Sequence, residues 1–571
     1  MSSVGLHSTR DAVATPAAVD APFPRRKIET VSWTRYAIVA MAVMIVLGIG
    51  LRLSGLGSVG FAEDEMNKLE AVRAYDRGDF SANGEHPMLI KLAIDVSMRT
   101  ARALNSFSSS SISEEAALRF PNVVFGALTA IPLFLLTAAL FDGRTGLWAA
   151  AFWSFGVNAI TYNRIGKEDT LMVFFLLFAF YFFIRAKQTD TRQAERLGRF
   201  RKLSAISFGL MLASKYFPHY FGLNMLYHHG THLRERSPDE PKFVTPLSFF
   251  LLIGVTFLIA NPGLLLPGVW QYLNAYSAEK LVPHTGYLMG DTIYSNRFSN
   301  SPFWGLPVYF YALFMAIKIP LSVLLSFIIG LFVATKARKQ PGPRFILFMF
   351  LFWMVPYSLV GSKWLRYTLS LMPFVYMGAA VGAVALQNWL VSLLKKANLA
   401  GSSSSPIATA LLLVLLVAVP GWTAYASAPH YGLYSNVIGD RFTARFFPHD
   451  EFYDDGVNQA IEFVSKQAPP NATIVSEVPG LVRYYTEKFG RTDLQSHVLS
   501  DPNYTPATNT PTYVILQKGR TYFENQQEMK KVKERFTLVY AGCIDGHTAA
   551  EVYASPSASN VQVQPCGDAR P

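Results

Sequence analysis

Cysteine is nearly absent. Only Cys543 and Cys566 occur in 571 residues, and their spacing matches no metal-binding pattern. A disulfide-built scaffold is excluded, and a single Cys543–Cys566 bridge stays open. Charge is also scarce, at 16% of residues. No internal repeat is visible. The N-terminus lacks the apolar core of a secretory signal peptide. Residues 1–30 are polar, rich in Ala, Ser and Pro, and are followed by long apolar sequence; they include Arg25, Arg26 and Lys27. A disordered cytoplasmic tail is expected there.

What the chain has in abundance is long apolar runs. Half of its residues are hydrophobic and its mean hydropathy is +0.23. A hydrocarbon core of roughly 30 Å needs about 20 helical residues, so these runs predict a polytopic α-helical membrane protein. Eleven spans are expected, at 34–53, 118–140, 147–163, 170–185, 203–216, 217–229, 243–260, 306–334, 344–361, 368–386 and 406–424. Pro320 predicts a kink in the eighth. Basic segments at 25–27, 185–202, 233–236, 336–339 and 395–396 fall on one side, the cytoplasmic one by the positive-inside rule. The net charge of +12 follows from this asymmetry and gives no reason to expect nucleic acid as a partner. Segments 54–117, 164–169, 261–305, 362–367 and 425–571 then share the outer side.

Three regions result: a tail over 1–30, a transmembrane portion over 31–425, and a small extracytoplasmic α/β domain over 426–571, where helical and strand patterns alternate. The first outer loop is too long for a connector. Residues 66–75 place Met66, Leu69, Val72 and Tyr75 on one helical face. Residues after Pro87 form an amphipathic pattern, with Leu89, Leu92, Val96 and Ala103 on one stripe and Lys91, Asp95, Arg99 and Arg102 on another, as for a helix on a membrane surface.

The outer ends also gather charge. FAEDEMNKLE follows the first span, TYNRIGKEDT joins spans three and four, SKYFPHY follows span five, and GSKWLRY precedes span ten. Carboxylates at 63–65 suit a helix N-terminus, and one Lys near a helix end snorkels. Acids and bases gathered on one leaflet from distant segments exceed both explanations, because charged groups at membrane depth face a cavity or each other. Lys and Arg suit a lipid-linked phosphate, and a carboxylate suits a base for an acceptor hydroxyl. Together these describe glycosyl transfer from a lipid-borne sugar phosphate. The alternative is a transporter or flippase of lipid-linked sugars. The lack of repeats weighs against it, and Lys318 inside span eight favours it.

The order of motifs resembles the GT-C glycosyltransferases that use polyprenyl-phosphate sugars, in particular the protein O-mannosyltransferase and lipid A aminoarabinose transferase superfamily. Carrying the resemblance are Asp64-Glu65 in loop one, EHPML at 85–89, Arg164 with Asp169, and SKWLRY at 362–367. RFPNVVFGAL, SKY, PVYFYALFMAIKIP and APHYGLYSN support it. Met88 stands where relatives carry a second proline. The resemblance implies an inverting transferase with a polyprenyl-phosphate donor and a protein, lipid or glycan hydroxyl acceptor. It implies Asp64 as catalytic base, Glu65 as supporting acid and Asp169 as second acid. His86, Arg164, Lys215, His284, Lys363 and Arg366 are implied phosphate contacts. It leaves open a divalent metal on Glu85, Asp169 and His284. The implied location is a multi-pass inner or plasma membrane protein working on the extracytoplasmic side.

Overall fold

A computed structural model describes residues 35–107, 111–216, 241–278, 284–297, 304–397, 404–502 and 510–558. The N-terminal tail, the sixth expected span (217–229) and Cys566 lie outside them.

Six helices are long and apolar enough to cross a membrane: Arg35–Leu53, Glu114–Leu140, Asp169–Gln188, Pro341–Leu359, Met372–Lys396 and Pro406–Ala426. Leu247–Ala260 and Leu321–Lys336 are shorter apolar helices. The expected count of eleven is therefore not reached among the described residues, for local reasons. The third expected span divides into Gly143–Phe155 and Val157–Asn163, separated by extended Gly156. The eighth breaks outright into Phe310–Lys318 and Leu321–Lys336, with Ile319 and Pro320 extended. Proline lacks an amide donor and disfavours helix in the residue before it. The fifth belongs to Ala194–Ser214, which runs back into the basic segment.

Glycine lets two of these helices touch. A Cβ on Gly330 would stand 1.8 Å from the Gly378 carbonyl oxygen, and one on Gly382 1.8 Å from that of Ser326. Close approach through small residues supplies the packing that helices in lipid cannot gain from water. The main apolar core, including Trp153, Phe180, Phe314, Trp353 and Phe374, fills the bundle.

The first loop folds into two helices, Glu63–Asp76 and Met88–Phe107. In the first, Met66, Leu69, Val72 and Tyr75 are buried as their spacing predicts. In the second, Ile90, Ile94 and Met98 face inward, while Val96 is exposed. The stripe read from the sequence is thus the outer of two apolar faces, and Lys91 lies on the inner one, donating to the carbonyls of Ala82, Asn83 and His86.

Two short antiparallel strands, β1 (Gly286–Met289) and β2 (Thr292–Ser295), lie between spans. The C-terminal region forms one five-stranded sheet from β3 (Thr473–Val475), β4 (Gln495–His497), β5 (Thr512–Leu516), β6 (Thr537–Ile544) and β7 (His547–Ala554). Its order is β4-β3-β5-β7-β6. β3 pairs parallel with β4 and β5, while β7 is antiparallel to β5 and β6. Helices Val457–Gln467, Pro479–Lys488 and Gln526–Arg535 accompany it. This region does not hang free. Val457, Ile461, Ile474 and Val482 share one apolar core with Phe61, Leu69, Ile90 and Ile94 of the first loop.

Candidate active site

The first-loop helix begins at Glu63 because Ala62 is extended and carboxylates meet its amides. Glu65 accepts from the Ala62 amide at 3.1 Å, and Asp454, from the C-terminal region, accepts from the Glu63 amide at 3.0 Å. Three acids in the first turn also complement the helix dipole. The turn is thereby fixed at both edges, and Asp64 points between them.

Asp64 is the partly exposed centre of a cationic nest. Its Oδ1 lies 3.1 Å from Lys167 Nζ and its Oδ2 3.0 Å from Arg366. The Tyr453 hydroxyl donates to Oδ2 at 2.7 Å. Burial pushes this carboxyl up, but Lys167, Arg366 and the Tyr453 hydrogen bond outweigh it and hold the group well below its usual range. Asp64 is therefore ionised at neutral pH.

The connection before helix Asp169–Gln188 supplies the next carboxylates. Glu168 is buried and meets Lys68 at 2.6 Å, His86 Nδ1 at 3.5 Å and Lys167 at 3.9 Å. Burial drives His86 well below its usual pKa, which leaves its imidazole neutral. Asp169 binds Lys215 at 2.5 Å through Oδ1, and its Oδ2 is buried without a hydrogen-bond partner among the described residues. Tyr367 joins the two halves. Its ring centroid lies 5.1 Å from the Lys215 ammonium and 5.7 Å from the Arg366 guanidinium.

Asp64, His86, Asp169, Lys215 and Arg366 are thus brought together from five separate segments. The other expected residues are placed elsewhere. Glu65 is buried in a bidentate pair with Arg119, at 2.8 and 2.6 Å, and accepts from the Gly166 amide. Arg164 lies over the Tyr431 ring at 4.8 Å. The Lys363 ammonium is buried on the carbonyls of Leu306 and Val360, at 2.7 and 2.5 Å. His284 stacks on Tyr522 and faces Glu477 at 3.4 Å. The residues expected for a metal each meet a different partner: Glu85 meets Asn83, Asp169 meets Lys215 and His284 faces Glu477. Among the described residues no group of three or more His, Cys, Asp or Glu could hold a metal ion. Lys318, which favoured a transporter, is buried at 2.5 Å from Glu451.

Sequence reasoning overlooked Lys68, Tyr367 and Tyr453, and gave Lys167 and Glu168 no role. Lys68 had a signal, standing one helical turn after Asp64. Tyr453 had none, because nearly four hundred residues separate it from Asp64.

Residues 107–261 match the family described as dolichyl-phosphate-mannose-protein mannosyltransferase. The matched stretch holds Lys167, Glu168, Asp169 and Lys215, whereas Asp64, His86 and Arg366 lie outside it. No curated protein sequence matches the chain. Among solved structures, the chain is similar to ArnT from Cupriavidus metallidurans bound to undecaprenyl phosphate, at 12% identity and TM-score 0.49, covering 93% of this chain and 100% of that one. It is also similar to the archaeal oligosaccharyltransferase AglB from Archaeoglobus fulgidus in complex with an inhibitory peptide and a dolichol-phosphate, at 11% identity and TM-score 0.48, covering 91% and 74%. The resemblance to polyprenyl-phosphate-sugar glycosyltransferases carried by the motifs is met, over residues 107–261, by a family of that kind.

Proposed function

We propose that the chain is an integral-membrane inverting glycosyltransferase. It moves a sugar, of the hexosyl or mannosyl type, from a polyprenyl phosphate to a hydroxyl of a protein, lipid or glycan, on the extracytoplasmic face of an inner or plasma membrane. The observation that carries the reading is the charge balance of the cluster. Four cations, Lys68, Lys167, Lys215 and Arg366, face three carboxylates, Asp64, Glu168 and Asp169. One positive charge is left over. A sugar phosphodiester carries one negative charge and completes the balance. The departing phosphate gains a second, which the same cations stabilise.

Asp64 is the base. At rest its two cations make it a weak one. A phosphate arriving at Arg366 and Lys167 competes for them and adds negative charge nearby, and both effects raise the basicity of Asp64. Donor binding thus prepares the group that deprotonates the acceptor. The acceptor oxygen attacks the anomeric carbon opposite the phosphate, the C–O bond to phosphate breaks, and configuration inverts. The free Oδ2 of Asp169 is available to sugar hydroxyls. Glu65 serves as the anchor of the helix that carries Asp64.

The test is release of polyprenyl phosphate from radiolabelled polyprenyl-phosphate mannose by the purified full chain, with a detergent extract of the cell envelope as acceptor. Asp64→Asn should lower turnover about 10²- to 10⁴-fold, the range for loss of a general base, while donor binding survives. Wild-type turnover in that variant, or a donor left intact by the wild-type protein, would remove the reading.

A further inference from the structure

Among the described residues, the C-terminal region hydrogen-bonds Asp64 through one residue, Tyr453. The short helix Pro448–Phe452 ends at Tyr453, whose φ is +48°, and Asp454 follows at +65°. Two successive non-glycine residues in the left-handed region are unfavourable, and such backbone persists where its surroundings over-determine it. Here they do. Asp454 is buried and accepts from Arg520 through both oxygens, from Gln517 at 3.1 Å and from the Glu63 amide at 3.0 Å. Arg520 also binds Glu63 at 2.6 Å. The result of this clamp is a single presented group, the Tyr453 hydroxyl, 2.7 Å from Asp64 Oδ2.

A carboxylate oxygen offers two lone pairs. Those of Oδ2 are taken by Arg366 and Tyr453, whereas among the described residues Oδ1 meets Lys167 alone. We propose that Tyr453 is a positioning residue of the transfer reaction, one that keeps a donor on Oδ2 when the phosphate draws Arg366 and Lys167 away, so that Oδ1 is the oxygen left to the acceptor hydroxyl. The C-terminal region thereby completes the active site. This inference rests on the role given to Asp64 above. Burial and the neighbouring Asp64 charge hold the Tyr453 hydroxyl well above its usual pKa. It therefore remains a donor and is not the nucleophile.

The groups facing Asp64 define what a pH profile reads. They are Lys167 from the connection before the Asp169–Gln188 helix, Arg366 from the 362–367 segment, and Tyr453 from the C-terminal region. Farther off stand Glu63 and Lys68 on its own helix, His86 in the first loop and His449 in the C-terminal region. Of these, Tyr453→Phe alters one donor and no charge. A hydrogen bond to the ionised form lowers a carboxyl pKa, so its loss raises that of Asp64. The acidic limb of kcat/KM should move to higher pH. Turnover should fall about 10- to 100-fold, the range for a lost hydrogen bond to a charged group, with KM for polyprenyl-phosphate mannose unchanged.

A purely structural Tyr453 would lower the yield of folded protein and leave the limb in place. Wild-type kcat together with an unmoved limb overturns the proposal. If Tyr453→Phe does not fold, 3-fluorotyrosine at 453 decides. Its stronger donor should move the limb to lower pH, and no movement overturns the proposal. Loss of turnover in Asp64→Asn beside an unaffected Tyr453→Phe would sink this inference alone, whereas an active Asp64→Asn sinks the reading beneath it.

Discussion

Arg119 separates structural from chemical roles within the acidic turn. Its guanidinium has five N–H donors, and each finds an acceptor. Nε and Nη2 hold Glu65 at 2.8 and 2.6 Å. Nη1 reaches the carbonyls of Leu56 and Val59 at 3.0 and 2.8 Å, and Nη2 also reaches that of Gly60 at 2.6 Å. Both partners are buried. Arg119→Met would leave the Glu65 carboxylate unpaired, and breaking a buried pair from one side is destabilising by about 3–5 kcal/mol. Arg119→Lys keeps the charge but has three donors for five acceptors. At least two of the five hydrogen bonds are lost, at about 1.5–3 kcal/mol each for a charged donor and not additively. The expected order of melting temperature, measured on the detergent-purified full chain, is wild type, then Lys, then Met. Asp64 is the next residue along the helix, and a displacement of about 1 Å at a reacting group lowers rate by roughly 10²-fold. Turnover should therefore fall in parallel with stability at Arg119, whereas Asp64→Asn should lose turnover with little change in melting. An Arg119→Met protein that melts and turns over as wild type would refute the reasoning and return Glu65 to a direct part in the chemistry.

Two further outcomes are expected. Arg366→Ala should weaken binding of polyprenyl-phosphate mannose about 10- to 100-fold, the value of charge-assisted hydrogen bonds to phosphate; unchanged affinity in equilibrium binding would make Arg366 only a partner of Asp64. Burial pushes the Asp450 carboxyl up to about 6, against about 3.9 for an unfolded aspartate. The folded chain holds that proton more tightly, so this group's contribution is complete below about pH 4 and lost as pH rises through 6, worth about 3 kcal/mol. Melting across that window should show the fall in wild type and lack that component in Asp450→Asn; an identical slope in both would assign the fall to other groups.

Local features of the chain were legible where short-range physics governs them. Apolar length gave the long spans, the period of Met66, Leu69, Val72 and Tyr75 gave the first-loop helix, and alternation gave most of the C-terminal sheet. Where packing competes with local preference the reading went astray. Gly156 divides a span that hydropathy joins, since mean apolarity carries no information about a single extended residue, and Pro320, read as a kink, breaks its span in two. The second first-loop helix has two apolar faces, and only its neighbours choose which one is buried. β4, three residues long with Gln495, Ser496 and His497, is a strand because β3 lies beside it.

The sequence by itself determined that charged residues cluster at span ends, and that Asp64, Asp169, Lys215 and Arg366 are among them. Hydrophobic transfer energy decides which residues leave the membrane, and that quantity is local. Which charge meets which was decided only by the tertiary structure. Glu65 and Asp64 are neighbours with the same chemistry, yet one is locked to Arg119 and the other opens toward Lys167, Arg366 and Tyr453. Successive helical residues point about 100° apart, and what stands in each direction is set by segments hundreds of residues away.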